Sequence, residues 1–190
     1  TTSGGGNTAV GTNSLLSCTT GDSNSALGFE CLEKVTTGIH NTGMGYRAGF
    51  TQTTGSYNVT VGNFTGDAIT TGTDNTFLGY GCGSAATTAT NCVVIGESAG
   101  NTLTVGDYCV LVGAETNVDT GDSQSRIGIG FNLSLTTDNS VRIGSGGNFI
   151  SNTFTSNATW SHSSDERLKE NINDDSLGLS FINDLRPVTY

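Results

Sequence analysis

The side chains able to do chemistry in this chain are few and scattered. His40 and His162 are the only histidines, and no Ser-His-Asp set assembles around either. Acidic residues show no clustering beyond turn positions, so the paired carboxylates of a polysaccharide-cleaving groove are not in view. Asp22, Asp74, Asp107 and Asp122 lie near equivalent corners and offer oxygen ligands of the kind Ca²⁺ takes. Solvated turn aspartates are the plainer reading, and no metal is expected. Cys18, Cys31, Cys82, Cys92 and Cys109 make an odd count without CxxC or Cys/His spacing. Cys92 and Cys109 occupy one repeat column, so a disulfide between neighbouring coils is conceivable; two small buried thiols are the simpler assignment. Gly79-Tyr80-Gly81-Cys82-Gly83 looks like a phosphate loop, but Gly79 and Gly83 are repeat positions, and no cofactor is expected. Asn58, Asn63, Asn132 and Asn157 begin Asn-X-Ser/Thr sequons, which arise easily in a chain this rich in Asn and Thr.

Composition narrows the class. The formal net charge is −10 in 190 residues. Without a basic patch to neutralise phosphates, nucleic acid is not expected as a partner. The acidic balance suits an extracellular or virion-exposed surface. No apolar run approaches the length of a membrane span, and no signal peptide is present. The chain opens on Thr1 and reads as a fragment. Glycine accounts for 28 residues and proline for one, without a Gly-X-Y period.

What must position these groups is a repeat. Closing glycines fall at Gly11, Gly28, Gly45, Gly62, Gly79, Gly96 and Gly113, a spacing of 17 residues. An aliphatic residue or Met precedes each, as in Val10, Leu27, Met44, Val61, Leu78, Ile95 and Val112. Four positions before the glycine stand Asn7, Asn24, Asn41, Asn58 and Asn75, then Cys92, Cys109, Gln124 and Ser140. Thr-Thr pairs repeat in the connecting turn, from Thr19-Thr20 to Thr87-Thr88. One short β-segment per 17 residues, with no helical period, predicts an all-β parallel β-solenoid of about nine coils. Stacking by parallel pairing, about 4.8 Å per coil, turns each column into a ladder. The aliphatic column is expected to form an apolar ridge inside, where a charge at Leu78 would disrupt the stack.

Residues 1–121 form the regular array. Residues 122–150 are read as two irregular capping coils closing at Gly128 and Gly144 after Ile127 and Ile143, with Arg126 and Arg142 beside the aliphatic column. Val93-Val94-Ile95 and Val110-Leu111-Val112 are apolar at consecutive positions, which implies burial on both faces. A partner chain, most simply in a homotrimer, would cover the second face. Residues 151–163 read as a connector or short strand pair.

At Ser164 the composition changes. Ser164-Asp165-Glu166-Arg167-Leu168-Lys169-Glu170-Asn171-Ile172 is charge-dense, with Leu168 and Ile172 one helical turn apart and Asp165 or Ser164 as N-cap. Leu177, Phe181 and Leu185 form a second helical stripe that Pro187 stops. On spacing alone, residues 164–190 are a short α-helical piece with a solvated, capped start.

This stretch, with Gly178-Leu179-Ser180-Phe181-Ile182-Asn183-Asp184-Leu185-Arg186-Pro187-Val188-Thr189-Tyr190, resembles the start of the intramolecular chaperone auto-processing domain that closes phage endosialidases, tailspikes and tail fibres. The resemblance covers 27 residues and implies a domain that trimerises the preceding fibre and then cuts itself off. By motif position the nucleophile would be Ser164, the base Lys169 and the scissile bond Ser163–Ser164. Such chemistry requires a lysine kept neutral near pH 7 by burial or nearby positive charge. The family domain continues beyond the segment ending at Tyr190, so the chain as it stands is expected to keep the bond intact. The repeat itself resembles those of phage and algal-virus fibres and is similar to the heads of trimeric autotransporter adhesins. That implies a trimeric, host-attaching fibre or spike on a virion or extracellular surface, with a host receptor or glycan as partner. The rival reading, an ice-binding face built on the Thr-Thr ladders, requires one outward threonine per coil.

Overall fold

The computed structural model describes residues 4–154 and, for their backbone, residues 161–162. Seven three-residue strands come first: β1 (Thr8–Val10), β2 (Ser25–Leu27), β3 (Thr42–Met44), β4 (Val59–Val61), β5 (Thr76–Leu78), β6 (Val93–Ile95) and β7 (Val110–Val112). Then follow β8 (Asn117–Val118), β9 (Arg126–Phe131), β10 (Ser134–Leu135), β11 (Ser140–Ser145), β12 (Asn148–Thr153) and β13 (Ser161–His162). Strands β1 to β7, β9 and β11 pair in parallel, in chain order, as nine rungs of one sheet. The register is in step throughout, with Thr60 beside Phe77, Phe77 beside Val94 and Val94 beside Leu111. The chain is therefore an all-β parallel solenoid, and no helix occurs among the described residues. The expected α-helical piece at 164–190 lies outside them.

Local chemistry explains the coil. Each closing glycine from Gly11 to Gly113 has φ between 122° and 143°, a conformation that L side chains rarely adopt. A Cβ at Gly62 would also overlap the carbonyl oxygen of Gly79 in the next coil. Two residues on, Glu30, Arg47 and Phe64 turn the chain in the left-handed region at φ 53–56°. Inward columns then fill one narrow core. Where one column is large another is glycine: a Cβ at Gly83 would come within 2.7 Å of the Phe77 ring, and one at Gly43 within 2.8 Å of Leu32 Cγ. Gly79–Gly83 is thus a packing device.

The C-terminal end differs from expectation. Ile129 pairs with Val112 and Ile143 with Ile129, so the register closes at Gly130 rather than Gly128, 17 residues after Gly113, and then 14 later at Gly144. Gly128 lies instead opposite Leu111 in the inward column, where a Cβ would meet Leu135 Cδ1 at 2.6 Å and Thr116 Cγ2 at 2.8 Å. The Asn column continues through Arg126, not Gln124, because Ser140 pairs with Arg126, while Gln124 bridges to Asp107. β8 and β10 form a small parallel pair beside the last rungs. β12 returns antiparallel on β11 and takes β13 on its far side, so this end of the sheet finishes on a two-residue strand. Residues 151–153, expected in the connector, complete β12.

Candidate functional site

In rungs β2 to β7 the middle residue is buried and its two neighbours are turned outward, the alternation of any strand. Phe77, Val94 and Leu111 are fully buried. Leu78 is 44% exposed, and Val10, Leu27, Met44, Ile129 and Ile143 are exposed with it. The column before the closing glycine is therefore not the core of a single coil, contrary to the sequence expectation. The reason is length: a three-residue strand has one inward side chain, and the middle position takes it. Positions Thr8, Ser25, Thr42, Val59, Thr76, Val93, Val110 and Ile127 stand beside this column, and Val141, in register with Ile127, is buried. Neither column holds a charged residue along nine rungs.

Aromatic side chains stand in the columns that flank this face. Tyr57 and Tyr108 are exposed on one side, and Phe29, Tyr46, Tyr80 and Phe131 on the other. Phe29 stacks on Tyr46 at 5.5 Å between ring centroids, and Phe64 meets Tyr46 and Tyr80 edge to face at 5.1 and 6.2 Å. His40 stacks on Tyr57 at 5.2 Å. Among the described residues, every large exposed apolar side chain except Leu16, Val105 and Phe154 lies on this face or its margins, Ile150 standing beside Ile143. The exposed apolar side chains are thus concentrated on one face.

Two ladders hold the face in line. Asn24, Asn41, Asn58 and Asn75 are buried. Asn41 Nδ2 donates to Asn24 Oδ1 at 2.9 Å and to Gly55 O at 2.9 Å, while Asn24 Oδ1 also accepts the Asn41 backbone N–H at 3.0 Å. Asn75 repeats the pattern on Asn58 and Ala89. Cys92 and Cys109 continue the ladder as free thiols: Cys92 Sγ donates to Gly106 O at 3.3 Å and accepts the Cys109 N–H at 3.4 Å. The second ladder is of threonine hydroxyls. Thr36, Thr53, Thr70 and Thr87 each donate to the carbonyl one coil on, at 3.1–3.2 Å.

The last coils are tied differently. Arg126 is only 5% exposed. Its Nη1 donates to Asp119 Oδ1 and Leu135 O, both at 2.5 Å, and its Nε to Asp138 Oδ1 at 2.7 Å. The guanidinium holds the Asp119 carboxyl below the usual range. The Gln124 backbone N–H and then Arg126 do the same for Asp138. Sequence reasoning placed Arg126 beside the wrong column; an arginine at the in-phase Asn position was the signal available.

The other sequence candidates are not brought together. Ser163, Ser164 and Lys169 lie outside the described residues. Asp22 accepts the Gly5 N–H, and among the described residues no three His, Cys, Asp or Glu side chains converge as metal ligands. Burial pushes the Cys31 thiol up to about 11 and the Cys82 thiol up to about 12. Cys92 is raised by its hydrogen bond with Cys109 and by burial. Of the described sequons, Asn58 is buried in the ladder, whereas Asn63 and Asn132 are exposed. No described helix is long and apolar enough to cross a membrane. The chain matches no family model, no curated protein and no solved structure.

Proposed function

We propose that the chain is a segment of a viral fibre or spike, built from three parallel copies that associate through the exposed sheet face. The observation that carries this reading is the pair of uncharged outward columns along nine rungs of a chain with net charge −10. Like-charged copies repel over most of their surface, and charge is missing where they would touch. The face also repeats with the rise of one coil, about 4.8 Å. Along its whole length it is matched only by a surface of the same period, and another copy of this chain has one. The resemblance of the repeat to trimeric fibres supports three copies. The resemblance of Ser164 to Ile172 to the chaperone motif supports assembly followed by cleavage at Ser163–Ser164, with Ser164 as nucleophile and Lys169 as base. A virion or extracellular surface and a host receptor or glycan follow from the same reading. An ice-binding role is the second reading. The Thr36, Thr53, Thr70 and Thr87 hydroxyls are spent on carbonyls of the next coil, but Thr20, Thr37, Thr54, Thr71 and Thr88 supply one exposed threonine per coil. Thermal hysteresis separates the two readings.

Light scattering of the native chain at micromolar concentration is expected to give three times the chain mass; a monodisperse monomer would overturn the proposal. Leu78→Asp tests the face directly. As an outward substitution it should change the stability of the single chain by less than about 1 kcal/mol, yet abolish association, since each copy would bury a charge. In the parent completed beyond Tyr190, Ser164→Ala and Lys169→Ala should leave trimers uncut. Normal cleavage of both variants at Ser163–Ser164 would exclude the pair.

A further inference from the structure

We infer that copies of the chain do not close along the whole face at once: they meet first along the rungs from Val93 to Ile143, and the three N-terminal coils join afterwards. This rests on the self-association reading above. Two observations, one outside and one inside, change at the same place. Outside, the first outward column is hydroxyl-bearing at Thr8, Ser25 and Thr42 and then apolar from Val59 onward except at Thr76. Desolvating those hydroxyls opposes what the neighbouring aliphatic column gains. Only the later rungs present two apolar columns side by side.

Inside, the core is in two pieces. One cluster runs from Leu15 to Ala48 and the other from Ile69 to Leu135. The coil between them turns polar groups inward: Gln52, Thr60 and Thr65 are all fully buried. Gln52 Nε2 donates to Gly55 O at 2.9 Å, while Gln52 Oε1 is buried without a hydrogen-bond partner. Thr60 and Thr65 give their hydroxyls to Thr42 O and Gly79 O. In a stack whose coils touch only their neighbours, one weak junction divides the array into two cooperative blocks. The larger block carries the rungs from Val93 onward, where both outward columns are apolar. It is therefore the part that is ordered and adhesive first.

The test uses the full chain and stopped-flow light scattering after a concentration jump. Val93→Thr with Val110→Thr should slow association by roughly tenfold, because their contacts are made in the encounter. Leu27→Thr with Met44→Thr should leave the association rate within about twofold and instead speed dissociation. If the Val93/Val110 variant fails to fold by circular dichroism, the reverse pair decides. Ser25→Val with Thr42→Val should then leave the association rate unchanged, and a large acceleration would overturn the inference. Gln52→Leu should merge two denaturation steps of the chain into one. Wild-type chain that never associates would sink the self-association reading itself. Association slowed equally by both pairs would sink only the order proposed here.

Discussion

The regular coils and the terminal coils solve the same stacking problem in opposite ways. From Asn24 to Cys92 one of the two side-chain ties per coil is made by a small side chain that accepts from the next backbone N–H and donates to a carbonyl. At Arg126 the in-phase position changes from a small side chain to a long one, the next coil shortens to 14 residues, and Arg126 alone reaches Asp119, Asp138 and Leu135 O. Repetition spreads the stabilising interactions thinly; an irregular end concentrates them on one residue. The same contrast explains why charge enters the coil interior only at Arg126 among the described residues. A long cation with two carboxylates in reach can span a gap that Asn cannot.

The largest effect should follow from Arg126→Ala. Removing the guanidinium takes one donor from each of Asp119, Asp138 and the Leu135 carbonyl, the last two keeping only the Gln124 and Asp119 N–H groups. The cost should be about 3 kcal/mol, moderated because both aspartates are partly exposed. Hydrogen exchange should locate the loss in β9 to β11. An equal loss across β1 to β7 would break the contrast.

Next comes Asn58→Ala, which leaves the Asn75 N–H and the Gly72 carbonyl unpaired and should cost about 2 kcal/mol. Asn58→Cys should recover about half of that, since Cys92 and Cys109 already fill the column. Denaturation midpoints of the two variants provide the comparison; a cysteine no better than alanine would mean the column is set by volume.

Acid should separate the two regions more gently. The depressed Asp119 and Asp138 carboxyls contribute stability that is present above the ordinary aspartate value of about 4. It is lost as pH falls through their lower folded values. The Asn and Thr ladders do not titrate in that window. Exchange measured at falling pH should therefore lose protection first between Arg126 and Ser145.

The smallest expected effect is none at all. Cys31, Cys82, Cys92 and Cys109 are fully buried, and burial raises Cys31 and Cys82 to about 11 and about 12. Native chain at pH 8 should leave these four thiols unalkylated by mass spectrometry, while half-exposed Cys18 reacts. Rapid labelling of Cys92 or Cys109 would show that the ladder opens in solution.

The sequence alone determined the solenoid. A 17-residue period with glycine, aliphatic and Asn columns admits one physical reading, because equivalent positions in a stacked chain must share one environment. It also determined the close approach at the closing glycines and the hydrogen-bonding role of Asn24 to Asn75. Which face of the strand looks inward was decided only by the tertiary structure. Thr76-Phe77-Leu78 and Val93-Val94-Ile95 carry little alternation, and the choice depends on what Gly83 and the turn residues leave room for. The phase of the last coils was likewise invisible, since Gly128 and Gly130 are both glycines after isoleucine. Only the Leu135 and Thr116 side chains distinguish the one that must lie inside. Arg126 is the sharpest case: its role depends on Asp119 and Asp138, which are near in space only because two loops of unequal length close over the same coil.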